Sequence, residues 1–208
     1  MIRYPPKMRG LMRIGLEHCS SPIYMFERWK IILKFYEVDN NYIIYIKNFE
    51  RQIPDFNYDR FNKFVCGIVL NINDNDYFAP VSSFKQQQRT NFVILDRGRP
   101  VSSIRFSFMF PAPNEVIRLK DFSNEPQTYK DLINAELRYC NNNRDEILRR
   151  ARQVYRIGCN RNHPLANCCC DFTLLESKCN EFIRRFESNP IVFEQTAATS
   201  RTNPPPEE

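Results

Sequence analysis

Phe64-Val-Cys-Gly-Ile-Val-Leu-Asn-Ile72 leads into Asn73-Asp-Asn-Asp76, and that into Tyr77-Phe-Ala-Pro-Val-Ser-Ser83. The first run is apolar and rich in β-branched residues. The second is a cluster of turn formers. The third is apolar again and ends in two hydroxyls. Branched and aromatic side chains suit a pleated surface, and Asn and Asp tolerate the left-handed backbone of a tight reversal. The stretch therefore predicts two antiparallel strands joined by a turn.

The same reading extends outward. Residues 33–38 (Leu-Lys-Phe-Tyr-Glu-Val) read as an earlier strand. Asp39 or Asn40 can cap a short helix through Asn48, with Tyr42, Ile43, Ile46 and Phe49 near helical spacing. Residues 50–62 read as a polar loop. Further strands are expected at 91–96, at 101–110 after the Arg97-Gly98-Arg99-Pro100 turn, and at 115–122. Thr128 to Asp131 has the form of a capping box ahead of Leu132, Ile133, Leu137 and Cys140. A second helix spans 144–157. A third follows a second capping box, Thr173 to Glu176, and carries Leu175, Cys179, Phe182 and Phe186 on one face. These elements predict an α+β fold: a compact antiparallel sheet, one helix after the first strand, and C-terminal helices. So many short strands need their edges hidden, which favours a partly closed β-barrel. Residues 189–208, rich in Pro, Thr, Ser and Glu, read as a disordered tail.

Charge is uneven. The chain of 208 residues has a net charge of +6, but residues 1–32 hold six basic and two acidic side chains. Overall basicity is thus a weak pointer to nucleic acid. Residues 138–161 are more informative, with seven Arg against Asp145 and Glu146. Arg149, Arg152 and Arg156 fall on one helix face, so they form either a solvated face or an RNA-binding surface. No apolar run reaches the ~20 residues of a membrane span, and Arg9, Arg13 and Glu17 break any secretory segment. The expected compartment is the cytoplasm, with no membrane partner and the 8 Cys reduced. Walker, dinucleotide-binding and H-E-x-x-H patterns do not occur.

The chemistry concentrates at the end of the hairpin. In Tyr77-Phe-Ala-Pro-Val-Ser-Ser-Phe-Lys85, Ser83 and Lys85 stand two apart and share a face if the chain is extended. Polar residues ending a strand in a turn would look the same.

A resemblance separates these readings. This stretch resembles the signature of the ToxN/AbiQ family, in which K-Y-L-A-P-L is followed by Thr or Ser, Ser, one residue and Lys. Lys63-Phe-Val-Cys-Gly-Ile-Val-Leu70 resembles that family's K-x-F-I-G-I-V-L strand. Lys34-Phe-Tyr36, Tyr42-Ile-Ile-Tyr45, Phe108-Met-Phe-Pro-Ala-Pro113 and Cys170-Asp-Phe-Thr-Leu-Leu-Glu-Ser-Lys178 resemble further segments, in order. The resemblance implies a type III toxin–antitoxin endoribonuclease with an SH3-like, MazF-like barrel. It implies cleavage without a metal or cofactor, leaving 2′,3′-cyclic phosphate ends on cellular and phage RNA. It further implies inhibition by a tandem-repeat RNA pseudoknot antitoxin, assembly with that RNA into closed rings, and phage defence by abortive infection.

Cleavage by a neighbouring 2′-OH needs charge neutralisation at phosphorus and proton transfer at two oxygens. His18 and His163 are the only histidines, and His18 lies outside the resembling region, so a histidine pair is hard to build. The expected catalytic set is Lys63 and Lys85 on the non-bridging oxygens, Ser82 and Ser83 aligning the phosphate, and Tyr42 positioning or stacking on a nucleotide. The expected RNA-binding set is Lys47, Arg89, Arg149, Arg152 and Arg156. A non-catalytic RNA-binding module on the same barrel is the alternative, and a gyrase-directed inhibitor a third reading; neither requires the strand-end cluster. Cys159, His163, Cys168, Cys169, Cys170 and Cys179 are of zinc-ligand type, yet no Cys-x-x-Cys pair stands isolated and Cys179 fits a helix stripe, so no metal site is expected. Because the family begins Met-Lys-Phe-Tyr where this chain has Leu33-Lys-Phe-Tyr36, residues 1–32 are expected to be an extension from a mis-assigned start. The toxin domain is then 33–188. The intact mass of the native protein tests this.

Overall fold

A computed structural model describes residues 32–56 and 63–188, so the extension and the tail of the sequence reading lie outside the described residues. The strands are β1 (Lys34–Val38), β2 (Val65–Ile72), β3 (Asn75–Ser82), β4 (Asn91–Asp96), β5 (Arg99–Arg105), β6 (Phe110–Pro111) and β7 (Ile117–Leu119). The helices are α1 (Asn40–Lys47), α2 (Gln127–Asn142), α3 (Arg144–Cys159) and α4 (Phe172–Ser188). The hairpin is tighter than its sequence implies. Only Asn73 and Asp74 form the reversal, with φ of 51° and 58°, and Asn75 and Asp76 already belong to β3. Two successive left-handed residues match the twist of the flanking strands.

All pairings are antiparallel, in the order β4-β5-β3-β2-β1-β7, with β6 also on β3. Strand β3 therefore carries β2 on one edge and two partners in succession on the other. Tyr77 and Phe78 pair with β6, then Val81 and Ser82 pair with β5. Phe35, Tyr77, Phe78, Phe106 and Phe110, on and beside these strands, are all buried in the core. The α+β antiparallel class is as expected. Among the described residues the path stays open, since no pairing joins β4 to β7. Helix α2 packs against β4, the strand at one end of that path.

The helices begin differently from the capping-box reading. Helix α2 starts at Gln127 after Pro126, with no side-chain cap, so Thr128 lies inside it. Helix α4 starts at Phe172, and Asp171 Oδ1 accepts from the Leu174 amide at 3.0 Å. Glu176 is thereby released from capping. It accepts from the hydroxyls of Tyr77 and Tyr155, each at 2.8 Å, and from Asn73 Nδ2 at 3.2 Å. One buried carboxylate thus joins β3, α3, α4 and the hairpin turn. Leu175, Cys179 and Phe182 are buried as their spacing implied; the side chain of Phe186 lies outside the described residues. Leu33 is clamped to α2: its N–H donates to Asn141 Oδ1 at 2.9 Å, and Asn141 Nδ2 donates to its carbonyl at 3.0 Å. No helix among the described residues is long and apolar enough to cross a membrane.

Candidate active site

The site is built at the end of β3 by strand register. Val65 pairs with Pro80, and the Val81 amide donates to the Phe64 carbonyl at 3.1 Å. Lys63 and Ser82 are the residues next to that hydrogen bond in their chains, Lys63 just before β2 and Ser82 the last residue of β3. On the opposite edge Ser82 pairs with Ser103, which is fully buried with its Oγ unpartnered among the described residues. Past Ser82 the chain leaves the sheet. The expected strand through Ser83 is one residue too long, so Ser83 and Lys85 are exposed loop residues rather than neighbours on a strand face. The Phe84 amide donates to Ser82 Oγ at 3.3 Å, a hydroxyl-supported turn that leaves the Ser82 O–H able to donate elsewhere.

The loop that follows is organised from beneath by Asn91, which is fully buried. Its Nδ2 donates to the Gln86 carbonyl at 2.9 Å. Its Oδ1 accepts from the Gln88 amide at 2.8 Å and from Gln87 Nε2 at 3.0 Å. Arg150 braces the arrangement from α3. One of its nitrogens donates to the Asn91 carbonyl at 3.1 Å, and its guanidinium lies 5.7 Å from the centre of the Phe92 ring. Arg89 projects exposed from this loop.

Lys47 and Lys63 share a neighbourhood through Asp55. Lys47 forms an ion pair with Asp55. That contact, and more weakly the charge of Lys63, hold the Asp55 carboxyl below its ordinary range. Lys47 therefore stands near the strand-end cluster with its charge already balanced. On α3, Arg149, Arg152 and Arg156 are all exposed. Arg149 forks onto Glu146 at 2.7–2.9 Å, a carboxylate it shares with Arg150 at 2.6 Å, so its charge is offset in part.

Tyr42 is not at the surface. It is 0% exposed, its hydroxyl donates to the Pro111 carbonyl at 2.6 Å, and its ring meets Phe182 edge-on at 4.9 Å. A core ring cannot stack on a nucleotide, which corrects the role expected for it. The apolar spacing of α1 that includes Tyr42 turns out to be its buried face. His163 Nδ1 accepts from the Leu165 amide at 3.1 Å and so closes a turn. Cys169 is buried, which raises its thiol to about 11, and Cys170 and Cys179 are raised by burial too. Among the described residues no three His, Cys, Asp or Glu side chains are grouped to share a metal ion.

Residues 34–180 match the model of the family described as toxin ToxN, type III toxin-antitoxin system. The chain belongs to the ToxN family. It is 30% identical to the endoribonuclease ToxN of Pectobacterium atrosepticum over 172 residues, covering 74% of this chain and 96% of that one. Its fold is like that of a solved toxin of a bacterial type III system inhibited by a non-coding RNA pseudoknot (TM-score 0.67, 23% identity, 73% of this chain and 98% of that one). It is equally like that of AbiQ, a lactococcal anti-phage endoribonuclease of a type III system (TM-score 0.67, 23% identity, 74% and 99%). In this ToxN-family chain, sequence reasoning missed Asn91, Arg150 and Arg105. Asn91 reads as an ordinary strand residue, and Arg150 as one arginine among seven. The Arg105 guanidinium lies between the rings of Phe84 and Phe108, at 4.8 and 4.9 Å from their centres. The one available signal was a charge set in the apolar strand 101–110.

Proposed function

We propose that this chain is the endoribonuclease toxin of a type III toxin–antitoxin system, cutting RNA without a metal. The 2′-oxygen attacks phosphorus, the bond to the 5′-oxygen breaks, and a 2′,3′-cyclic phosphate and a 5′-hydroxyl remain. The proton of the 2′-OH leaves as the ring closes, and the departing 5′-oxygen gains one. Lys63 and Lys85 neutralise the charge growing on the non-bridging oxygens. Ser82 and Ser83 donate hydrogen bonds that hold the phosphate in line with the attacking oxygen. Residues 33–188 form the catalytic domain, and Tyr42 serves its core.

The observation that supports this reading is the hydrogen bond from the Val81 amide to the Phe64 carbonyl, whose chain neighbours are Ser82 and Lys63, just where the loop bearing Ser83 and Lys85 departs. Two cations and two hydroxyls gathered at one strand end suit a phosphodiester. The change of partner along one edge of β3, from β6 to β5, fits an SH3-like, MazF-like partly closed barrel as scaffold. The pseudoknot inhibitor of one fold relative and the anti-phage role of another support the rest of the reading. A tandem-repeat pseudoknot RNA holds this toxin inactive in closed rings, in the cytoplasm. Its release cuts cellular and phage RNA and stops growth of the infected cell.

The deciding experiment is cleavage of a mixed RNA by the antitoxin-free protein, with and without EDTA, beside Ser83→Ala and Lys85→Ala. Cleavage that survives EDTA, leaves cyclic phosphate ends and drops at least about a hundredfold in the folded variants is the expected result. Folded wild-type protein that binds RNA and leaves it intact would make the chain a non-catalytic RNA-binding module instead.

A further inference from the structure

A pocket beside the signature loop takes no part in the chemistry above. It measures about 550 Å³, and its walls include Gln52, Gln88, Arg89, Thr90, Arg105 and Phe108. That is the size of a small-ligand site rather than a packing gap. Arg105 forms one side, held between the two phenylalanine rings, with its Nε buried and unpartnered among the described residues. Among the described residues no carboxylate pairs with Arg89 or Arg105. A part-buried guanidinium fixed on aromatic faces without a counter-ion is prepared for an anion. Gln52 Nε2 donates to the Cys169 carbonyl at 3.2 Å, which anchors that amide and leaves its oxygen to accept. Gln88 stands on backbone that Asn91 has already fixed. Phe84, whose ring meets Arg105, lies between Ser83 and Lys85 in the chain, so the pocket adjoins the loop that carries those two residues.

We propose that this pocket holds one unstacked nucleotide of the RNA strand being cleaved, beside the scissile phosphate. Its base lies against Phe108, its phosphate meets Arg89 and Arg105, and Gln52 and Gln88 read the edge of the base. Proteins recognise single-stranded RNA by splaying bases onto aromatic side chains, and amide side chains pair with base edges. The pocket therefore sets the preferred base at one position beside the cut. This inference rests on the endoribonuclease reading.

The test maps the ends that the full chain produces from an RNA library randomised in sequence, for wild type, Gln88→Ala, Arg89→Ala and Arg105→Lys. Gln88 and Arg89 are exposed, so those two substitutions leave the fold in place. Gln88→Ala should weaken the base preference at one fixed position at least about fivefold, while other positions keep theirs. Arg105→Lys should raise KM more than it lowers kcat. Preferences unchanged in all three variants would overturn the proposal. Lost inhibition by the antitoxin RNA with unchanged preferences would assign the pocket to the antitoxin strand, and would overturn it too. A second measurement needs no cleavage: binding of a fluorescent single-stranded RNA to the full chain carrying Ser83→Ala. Adding Arg105→Gln should weaken that binding about tenfold. Equal binding overturns the pocket whether or not the wild type cuts RNA. Weakened binding alongside a wild type that never cuts would sink the nuclease reading and support the pocket as an RNA subsite.

Discussion

Tyr42 and Asn91 show how a side chain's role is set by what surrounds it. Tyr42 lies in the core with its hydroxyl on the Pro111 carbonyl. Tyr42→Phe should therefore lower stability by about 1 kcal/mol, read from the denaturant midpoint, and leave RNA affinity as it was. A clear loss of RNA binding with stability intact would return Tyr42 to the site. Asn91 touches no position assigned to the reacting phosphate, yet three of its hydrogen bonds shape the loop after Lys85. Asn91→Ala should reduce kcat roughly a hundredfold through misplacement of that loop, with a smaller effect on RNA binding. Equal kcat in the folded variant would show that the loop holds itself. Lys63, Ser82, Ser83 and Lys85 could be singled out from the sequence because the stretches that carry them resemble the ToxN/AbiQ signature, whereas their position alone would also suit a polar turn. Arg105 could not, since Phe84 and Phe108, which define its setting, come from opposite sides of β4 and β5 in the chain.

Elements were legible where local pattern and tertiary demand agree. The β2–β3 hairpin, β4, and the apolar faces of α1 and α3 follow directly from residue spacing. The capping boxes misled because hydrogen-bonding side chains at helix starts have other partners available. Pro126 opens α2, Asp171 caps α4, and Glu176 answers to two tyrosines. The barrel closure inferred from strand number is not required, because α2 packs on β4. Helix α2 also conceals a carboxyl that its apolar pattern did not reveal. Glu136 is 3% exposed; burial, and secondarily the charge of Asp96, raise its pKa, and the nearby Ser102 hydroxyl offsets this only in part. Between the ordinary carboxylate pKa and this raised value, the folded chain keeps a proton that the unfolded chain releases. Stability contributed by this group therefore falls as pH rises through that window. Glu136→Gln should flatten this part of the profile and gain on the wild type at the higher pH. Unfolding midpoints between roughly pH 4 and pH 8 check it, and parallel profiles would count against it.

Across the whole molecule, affinity for RNA should follow charge left unbalanced rather than the number of arginines. Arg149 and Lys47 are paired with carboxylates, whereas Arg152 and Arg156 are exposed on the same helix. The Arg152→Ala, Arg156→Ala double variant should lower the slope of log affinity against log salt by roughly 1.4, on the basis of about 0.7 per single-strand phosphate contact. Arg149→Ala should change it less. Titrations at several salt concentrations decide this, and a larger effect of Arg149 would reverse the assignment.

Glu176 also bears on the order in which this chain can complete its fold during synthesis. The ribosome completes Lys63, the Ser82–Lys85 stretch and Asn91 long before it reaches α4. Until then the hydroxyl of Tyr77, on the strand that presents those residues, lacks both of its acceptors, the Phe172 carbonyl and Glu176, and Tyr155 lacks Glu176. Folding during synthesis proceeds from the first residues made. Here the bonding around Tyr77 stays incomplete until α4 arrives. A chain ended before α4 lacks the carboxylate that joins β3, α3 and the hairpin turn, so it should be markedly less stable than one that includes that helix.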